Sequence, residues 1–207
     1  IWDDHDAGPN NSDGTTSPNA ARAIYRARYP HFDLVSSTAT DPVNHSFVIG
    51  RVRFIVTDER SAASPRANTD NSSKTVLVTS QKTWFKSESS AATAAGQMAV
   101  WVCSRHFLGD ATAGADHWGG FTTERTELVD YIKANAHGRV IVLSADMHAM
   151  RISSDRDFAT GGGEALKVFN VATLDHPTID TAGYGGVSST GATAWSATNG
   201  LFATMAI

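Results

Sequence analysis

The chain lacks the features typical of membrane-spanning, disulfide-rich and nucleic-acid-binding proteins. No apolar run approaches the roughly 18 residues that a membrane-spanning helix needs. The single cysteine, Cys103, excludes an internal disulfide. With 17 basic and 21 acidic side chains, the net charge of -4 is too weak to steer the chain onto nucleic acid or an anionic membrane. These absences favour a globular domain that acts on a small molecule.

Several catalytic signatures are missing as well. The sequence contains no G-x-S-x-G nucleophile elbow, no Walker-type phosphate loop and no paired C-x-x-C. The glycine run at 161–163 lacks a following helix pattern and the phosphate-loop lysine, so it predicts a flexible turn. Cys103 lies in an apolar run, which favours a buried small hydrophobe over a nucleophile.

The patterns that are present predict one α/β domain with considerable antiparallel content. A length of 207 residues and a hydrophobic content of 41% suit a single core. The apolar run at 140–143 is typical of a strand covered on both faces. The predicted elements are a helix over 17–28, a hairpin over 45–57 turning at Gly50-Arg51, a short helix capped by Ser80, a strand over 98–103, a helix over 123–137, and strands over 140–143, 166–171 and 201–205.

The opening motif Asp3-Asp4-His5-Asp6 packs three carboxylates and an imidazole into consecutive positions. Such crowding is electrostatically costly unless a cation or ordered hydrogen-bond donors neutralise it, and a metal ion is the simplest remedy. The alternative is an acidic solvated loop. Because a working site needs support on both sides, and the chain opens with Ile1 rather than methionine, we expect further sequence upstream.

A second candidate, Asp146-x-His148, follows the apolar run at 140–143. On an extended segment this spacing points both side chains the same way and presents a hard oxygen and an imidazole together. The alternative is a structural pair joined by a hydrogen bond. His106, at the end of the strand over 98–103, could be another ligand, but an isolated histidine is more often structural.

Two further segments could contact a substrate. The segment 116–125 either forms a substrate wall or is structural, with Trp118 and Phe121 packing the loop and Arg125 pairing with Asp116. Arg60 could grip a phosphoryl oxygen through its planar fork. Asn10 or Asn11 could donate a hydrogen bond to the same group without adding charge; the hypothesis below uses Asn10.

An ordered set of motifs resembles the PhoD-like alkaline phosphatase family of the metallophosphatase superfamily. Several motifs in one order are more specific than any one of them alone. The set comprises Trp2 to Asp6 with Gly8 to Asn11, the hairpin that leads to Asp58-x-Arg60, Gln81-x-x-Trp84-Phe85, Asp116-x-Trp118-x-Gly120-Phe121-x-x-Glu124-Arg125, and Asp146-x-His148.

The resemblance implies a metallophosphatase-type two-sheet β-sandwich flanked by helices. Residues 1–207 would form a catalytic domain whose amino-terminal part, and with it the bridging metal ligands, lies outside this chain. Calcium and ferric iron are the metals implied, ahead of zinc or manganese. Aspartate at positions 4 and 146, in place of the superfamily's asparagine and histidine, also favours harder cations than zinc.

The same resemblance implies residue roles. Asp4, Asp146 and His148 would be metal ligands, and His5 would be the catalytic acid or phosphate contact. Our own hypothesis adds that Asn10 and Arg60 orient the ester while metal-activated water attacks phosphorus in line.

The predicted partner is a small phosphomonoester or phosphodiester, with no specific nucleic-acid binding and no membrane span. Family resemblance suggests an extracellular or periplasmic location. The alternative function is a non-catalytic fragment or divergent binding domain that retains the scaffold.

Overall fold

The structure is a computed structural model that describes residues 2–16, 19–109, 111–146, 151–152 and 166–170. Helices and strands alternate along the second half of the described chain, as in other α/β proteins. The elements in chain order are α1 (Asp4–Ala7), α2 (Asn19–Arg28), β1 (His45–Ile49), β2 (Val52–Val56), α3 (Thr79–Ala94), β3 (Met98–Val102), a 3₁₀ turn (Trp118–Gly120), α4 (Thr122–Asn135), β4 (Val140–Ser144), β5 (Arg151–Ile152) and β6 (Leu166–Asn170).

The strands form one six-stranded sheet in the order β1-β2-β3-β4-β6-β5. The four central strands, β2, β3, β4 and β6, run parallel, and among the described residues only the edge strands β1 and β5 pair antiparallel. Two of the five strand pairings in the described residues are antiparallel, in line with the expected antiparallel content, but the parallel centre was not predicted. Because the carboxyl ends of β2, β3 and β4 lie in register, the loops that follow them meet at one edge.

Most of the predicted elements in the described residues are confirmed. The hairpin turns at Gly50, whose φ of 60° is left-handed and suits a tight turn. Gly138 follows α4 with a φ of 68°, as expected beyond a helix end. Helix α2 and strands β3 and β6 match their predicted segments within a few residues, whereas Ser17, Pro18 and the strand predicted over 201–205 lie outside the described residues.

Helix α3 is longer than the sequence predicts and starts two residues earlier. It spans 16 residues, begins after Val78 rather than at a Ser80 cap, and continues through the alanine-rich stretch. Its buried side chains are Gln81, Phe85, Ser89 and Ala92, which recur at helical spacing. Two of these four side chains are polar, so the buried face of the helix does not show as a hydrophobic pattern in the sequence. The alanine-rich stretch itself favours a helix.

The core lies between the sheet and the helices α3 and α4. Trp101 of β3 is fully buried, with Phe85 at 4.4 Å and Trp118 at 5.6 Å between ring centroids. Strand β4 was expected to be buried on both faces. The face that carries Val142 is buried, whereas the opposite face, with Ile141 and Leu143, is only half-buried. In the described part of the chain, no helix combines the length and the apolar character that crossing a membrane requires.

Candidate metal centre

The candidate site lies at the carboxyl ends of the parallel strands. Arg60 follows β2, Asp116 lies on the segment after β3, and Asp146 follows β4. The loop carrying Asp3 and the start of α1 reach this edge, because Arg60 and Asp3 form an ion pair. In open α/β sheets, ligands bind outside the carboxyl ends of the strands, and this edge is therefore the expected place for a site.

Three carboxylates converge there. One oxygen atom each from Asp3, Asp4 and Asp146 lies within 4.8 Å of the others. Asp4 is 3% exposed, and its Oδ1 and Oδ2 accept hydrogen bonds from the backbone N–H groups of His5 and Asn11, both at 2.8 Å. These bonds hold the Asp4 carboxylate in one orientation, as a metal ligand requires.

Arg60 is the cation beneath this cluster, and it is fully buried. Its Nε donates to Asp3 Oδ1 at 2.7 Å, and its Nη1 donates to Asp116 Oδ2 at 2.5 Å. Nη2 makes no hydrogen bond within the described part of the chain and lies 3.8 Å from Asp146 Oδ2. Burial opposes the charge of Arg60, but the carboxylates of Asp3 and Asp116 outweigh it and raise its pKa.

A second buried arginine, Arg105, helps to fix the position of Arg60 through Asp116. The Nη1 of Arg105 donates to the Asp116 backbone oxygen at 2.6 Å and to Asp116 Oδ1 at 3.2 Å. Its Nε donates to the Glu59 backbone oxygen at 3.0 Å, and its backbone N–H donates to Glu59 Oε2 at 2.9 Å. Asp116 therefore joins two buried guanidinium groups and fixes the position of Arg60, which in turn holds Asp3.

The electrostatics of the cluster suit a bound cation. Burial, followed by the nearby charge of Asp3, raises the pKa of Asp146 to about 7, although Arg60 opposes the shift. A cation among the three carboxylates would offset this repulsion and keep Asp146 ionised. The donor set consists entirely of oxygen atoms, which is the chemistry that calcium and other hard cations prefer. The residues present therefore fit a hard metal ion.

The structure brings together only part of the predicted site. Asp4 and Asp146 meet, and His5 is exposed beside them, with an imidazole that forms no hydrogen bond among the described residues. Asn10 is exposed, Arg60 is buried beneath the carboxylates, and His148 lies outside the described residues. The metal, catalytic and substrate roles of these residues remain predictions.

Sequence reasoning missed three members of the site. Asp3 belongs to the predicted acidic motif, but only Asp4 was assigned as a ligand there. Asp116 appeared in the motif set, yet its two arginine partners lie 56 and 11 positions away in the chain. Arg105 carries no local signal, because only its burial and its contacts distinguish it from a surface arginine.

Apart from Asp116, the aromatic and basic side chains singled out in the segment 116–125 take structural positions. Trp118 and Phe121 are fully buried, so they do not form a substrate wall. The predicted Arg125–Asp116 pair is wrong, because Arg125 Nη1 donates to the backbone oxygens of Phe107 at 3.2 Å and Gly109 at 2.7 Å. Asp116 already pairs with two other arginines, Arg60 and Arg105.

His106 and Cys103 also occupy structural positions. The ring nitrogens of His106 lie 2.7 Å from the Leu108 backbone oxygen and 3.1 Å from Asn170 Oδ1, as in a hydrogen-bonded core histidine. Cys103 is buried, and burial raises the pKa of its thiol, which disfavours the thiolate.

Glu59 should make folding stability depend on pH. Burial raises its pKa to about 8 from an ordinary 4.5, against the opposing N–H of Arg105. As pH rises from 4.5 towards 8, the unfolded chain loses this proton while the folded chain keeps it, so stability falls. With metal chelated, Glu59→Gln should gain on the order of a few kcal/mol relative to the parent across this window.

The measurement is the free energy of unfolding by denaturant at several pH values. Glu127→Gln, on the exposed side of α4, is the control and should show no such gain with rising pH. Parallel pH profiles for Glu59→Gln and the parent would show that Glu59 is already ionised in the folded protein.

Fold and site together define an α/β domain with an acidic oxygen-donor site at the carboxyl ends of its parallel strands. The chain belongs to the PhoD-like phosphatase family, whose sequence model matches residues 1–181. This confirms the resemblance found in the motifs.

A curated relative and a solved structure agree with this family. The chain is 25% identical over 176 residues to alkaline phosphatase D of Bacillus subtilis, an alignment that covers 72% of this chain and 30% of that protein. It also matches a structure described as that of PhoD, with a TM-score of 0.65 and 21% identity, over 83% of this chain and 39% of the other. At that identity the structure supports the fold alone. The chain spans less than half the length of either protein.

Proposed function

We propose that this chain contributes to a metal-dependent phosphoric ester hydrolase of the alkaline phosphatase or phosphodiesterase type. The observation that carries the proposal is the convergence of Asp3, Asp4 and Asp146 at the carboxyl edge of the sheet. Membership of a phosphatase family also supports the proposal. A site for a hard cation suits phosphoryl transfer, because such an ion stabilises charge on the phosphoryl oxygens.

The chain's own carboxylates would hold the metal, which we propose to be calcium or iron. Asp3, Asp4 and Asp146 would be ligands, and His148 would add an imidazole. A bound ion would lower the pKa of a coordinated water and offset charge on the phosphoryl oxygens. Ligands that lie elsewhere in the protein would complete the coordination.

The remaining residues would position the ester and move its proton. His5, exposed at the rim, would donate a proton to the leaving oxygen or contact the phosphate. Asn10 would donate a hydrogen bond from the same loop. Arg60 is held by Asp3 and Asp116, so its Nη2 is the atom that would meet a phosphoryl oxygen.

Two wider features belong to the same proposal. The half-buried face of β4, with Ile141 and Leu143, would pack against a second sheet of a two-sheet β-sandwich. The protein would be extracellular or periplasmic, as the family resemblance suggests.

Hydrolysis of chromogenic phosphomonoesters and phosphodiesters tests the function directly and separates the two ester classes. Activity should disappear with a chelator and return with calcium and iron. His5→Ala should lower kcat about a hundredfold without changing metal content, because it removes a proton donor rather than a ligand. His137→Ala, at an exposed position beyond α4, is the matched control.

Two outcomes would count against parts of this proposal. A near-normal rate for His5→Ala would remove His5 from the mechanism. Substoichiometric metal, with no activity after calcium and iron are added, would favour a non-catalytic domain that retains the scaffold.

A further inference from the structure

Two buried arginines lie beside the carboxylate cluster of Asp3, Asp4 and Asp146. Arg60 and Arg105 are both fully buried, and the charge of Asp3 acts on each of them. The Nε of Arg60 is 2.7 Å from Asp3 Oδ1, and its Nη2 is 3.8 Å from Asp146 Oδ2. Buried charges are poorly screened by water, so both guanidinium groups would repel a cation bound by the cluster. Arg60 would also compete with that cation for the oxygen atoms of Asp3.

Asp116 is the carboxylate that pairs with both arginines. Its Oδ2 accepts a hydrogen bond from Arg60 Nη1 at 2.5 Å, and its Oδ1 accepts one from Arg105 Nη1 at 3.2 Å. The Asp116 side chain is only 11% exposed. Because each of its oxygens already holds a guanidinium group, Asp116 is placed to balance charge, and it does not belong to the three carboxylates whose oxygens converge.

Arg105 forms an ion pair with no other carboxylate in the described part of the chain. Its contacts with Glu59 run through backbone atoms: its Nε donates to the Glu59 backbone oxygen, and its backbone N–H donates to Glu59 Oε2. Burial raises the pKa of Glu59 to about 8, so this carboxyl is largely protonated at neutral pH. Asp116 therefore supplies most of the negative charge that offsets Arg105.

The position of Asp116 is fixed through its backbone as well. Its backbone oxygen accepts a hydrogen bond from Arg105 Nη1 at 2.6 Å. The 3₁₀ turn Trp118–Gly120 begins two residues later, and all three residues of that turn are buried. Nη1 of Arg60 is thereby engaged by a carboxylate that is held in place outside the cluster.

The charge available to a cation depends on Asp116. With Asp116, four carboxylates face two arginines, which leaves two negative charges for a divalent cation; without it, one would remain. We propose that Asp116 is a positioning residue of the metal centre, which pairs with Arg60 and Arg105 and so leaves Asp3 and Asp146 available to a divalent cation. This role rests on the metal centre of the proposed function, and it is neither that of a ligand nor that of a substrate contact.

Calorimetric titration of the complete protein, stripped of metal, with calcium chloride tests the proposal. Asp116→Asn keeps the shape of the side chain but removes its charge, and it should weaken calcium binding about tenfold or more, as changes beside metal ligands commonly do. Asp130→Asn, the same substitution at a side chain that is 63% exposed on α4, is the matched control and should bind calcium as the parent does. The melting temperature of each metal-free variant shows whether it is folded.

A double variant separates charge balance from a merely structural role. Asp116→Asn combined with Arg105→Gln removes one charge of each sign, so it should bind calcium within about threefold of the parent, whereas the loss of a structural contact would weaken binding further. The double variant also serves if Asp116→Asn alone does not fold, because it leaves no unpaired charge at position 105.

The outcomes distinguish this inference from the proposed function. Parent-like calcium binding by Asp116→Asn, or clearly weakened binding by the double variant, would overturn the role of Asp116 and leave the proposed function standing. A parent protein that binds neither calcium nor iron would overturn the metal centre itself, and the role of Asp116 with it.

Discussion

Replacing Asp146 by asparagine is expected to lower kcat for phosphoester hydrolysis at least about a thousandfold while leaving the fold intact. Asparagine keeps the shape of the side chain and tolerates the left-handed φ of 70° found at this position. The Asp146 carboxylate lies 3.8 Å from Arg60 Nη2, which is too far for a hydrogen bond, so little structural contact is lost. What the variant removes is a negative ligand of the proposed cation site.

The stability of the metal-free protein separates this prediction from simple unfolding. Asp146 lies close to Asp3 and Asp4, and removing one of three like charges should leave the melting temperature unchanged or higher. Metal content should fall. Asp6→Asn is the matched control, because Asp6 belongs to the same acidic motif but is exposed and outside the cluster. If Asp146→Asn retained both metal and activity, Asp146 would not be a ligand.

Replacing Arg60 by methionine is expected to reduce the free energy of unfolding by about 3–5 kcal/mol. Methionine has a comparable volume but no charge, so Asp3 would lose its buried cation and Asp116 would keep only Arg105. Arg60 itself is fully buried, so no water can replace its charge, and the carboxylates of Asp3 and Asp116, 24% and 11% exposed, are screened only in part. The loss should be greatest at neutral pH and shrink on acidification, because protonating the carboxylates removes their repulsion.

Arg53→Met provides the comparison. Arg53 lies on β2 and pairs with Glu88 at 2.7 Å, but both side chains are about one-fifth exposed, so this change should cost about 1 kcal/mol or less. The measurement is the free energy of unfolding by denaturant for both variants and the parent, at neutral and at acidic pH. Equal stability losses for the two variants would mean that Arg60 is not the electrostatic centre of this edge.

Local features of the sequence were sufficient to predict much of the secondary structure. The hairpin over 45–57 follows from alternating apolar residues around Gly50, and helix α4 from its first-turn acid and the glycine beyond its end. Helix α3 was predicted too short because half of its buried stripe is polar, and burial of those residues depends on what the helix packs against. The sequence also predicted the carboxylates Asp4 and Asp146 as members of one site.

The sequence by itself determined the local elements, the acidic motif and the family. Only the tertiary structure decided which charged side chains meet, because that depends on which strand ends share an edge of the sheet. Arg60 contacts Asp3 and Asp116, which lie 57 and 56 positions away. Parallel pairing of β2, β3 and β4 brings these segments together, and the buried Arg60 becomes the cation that holds the carboxylates. Neither the pairing of the strands nor the burial of Arg60 can be predicted from the spacing of these residues along the chain.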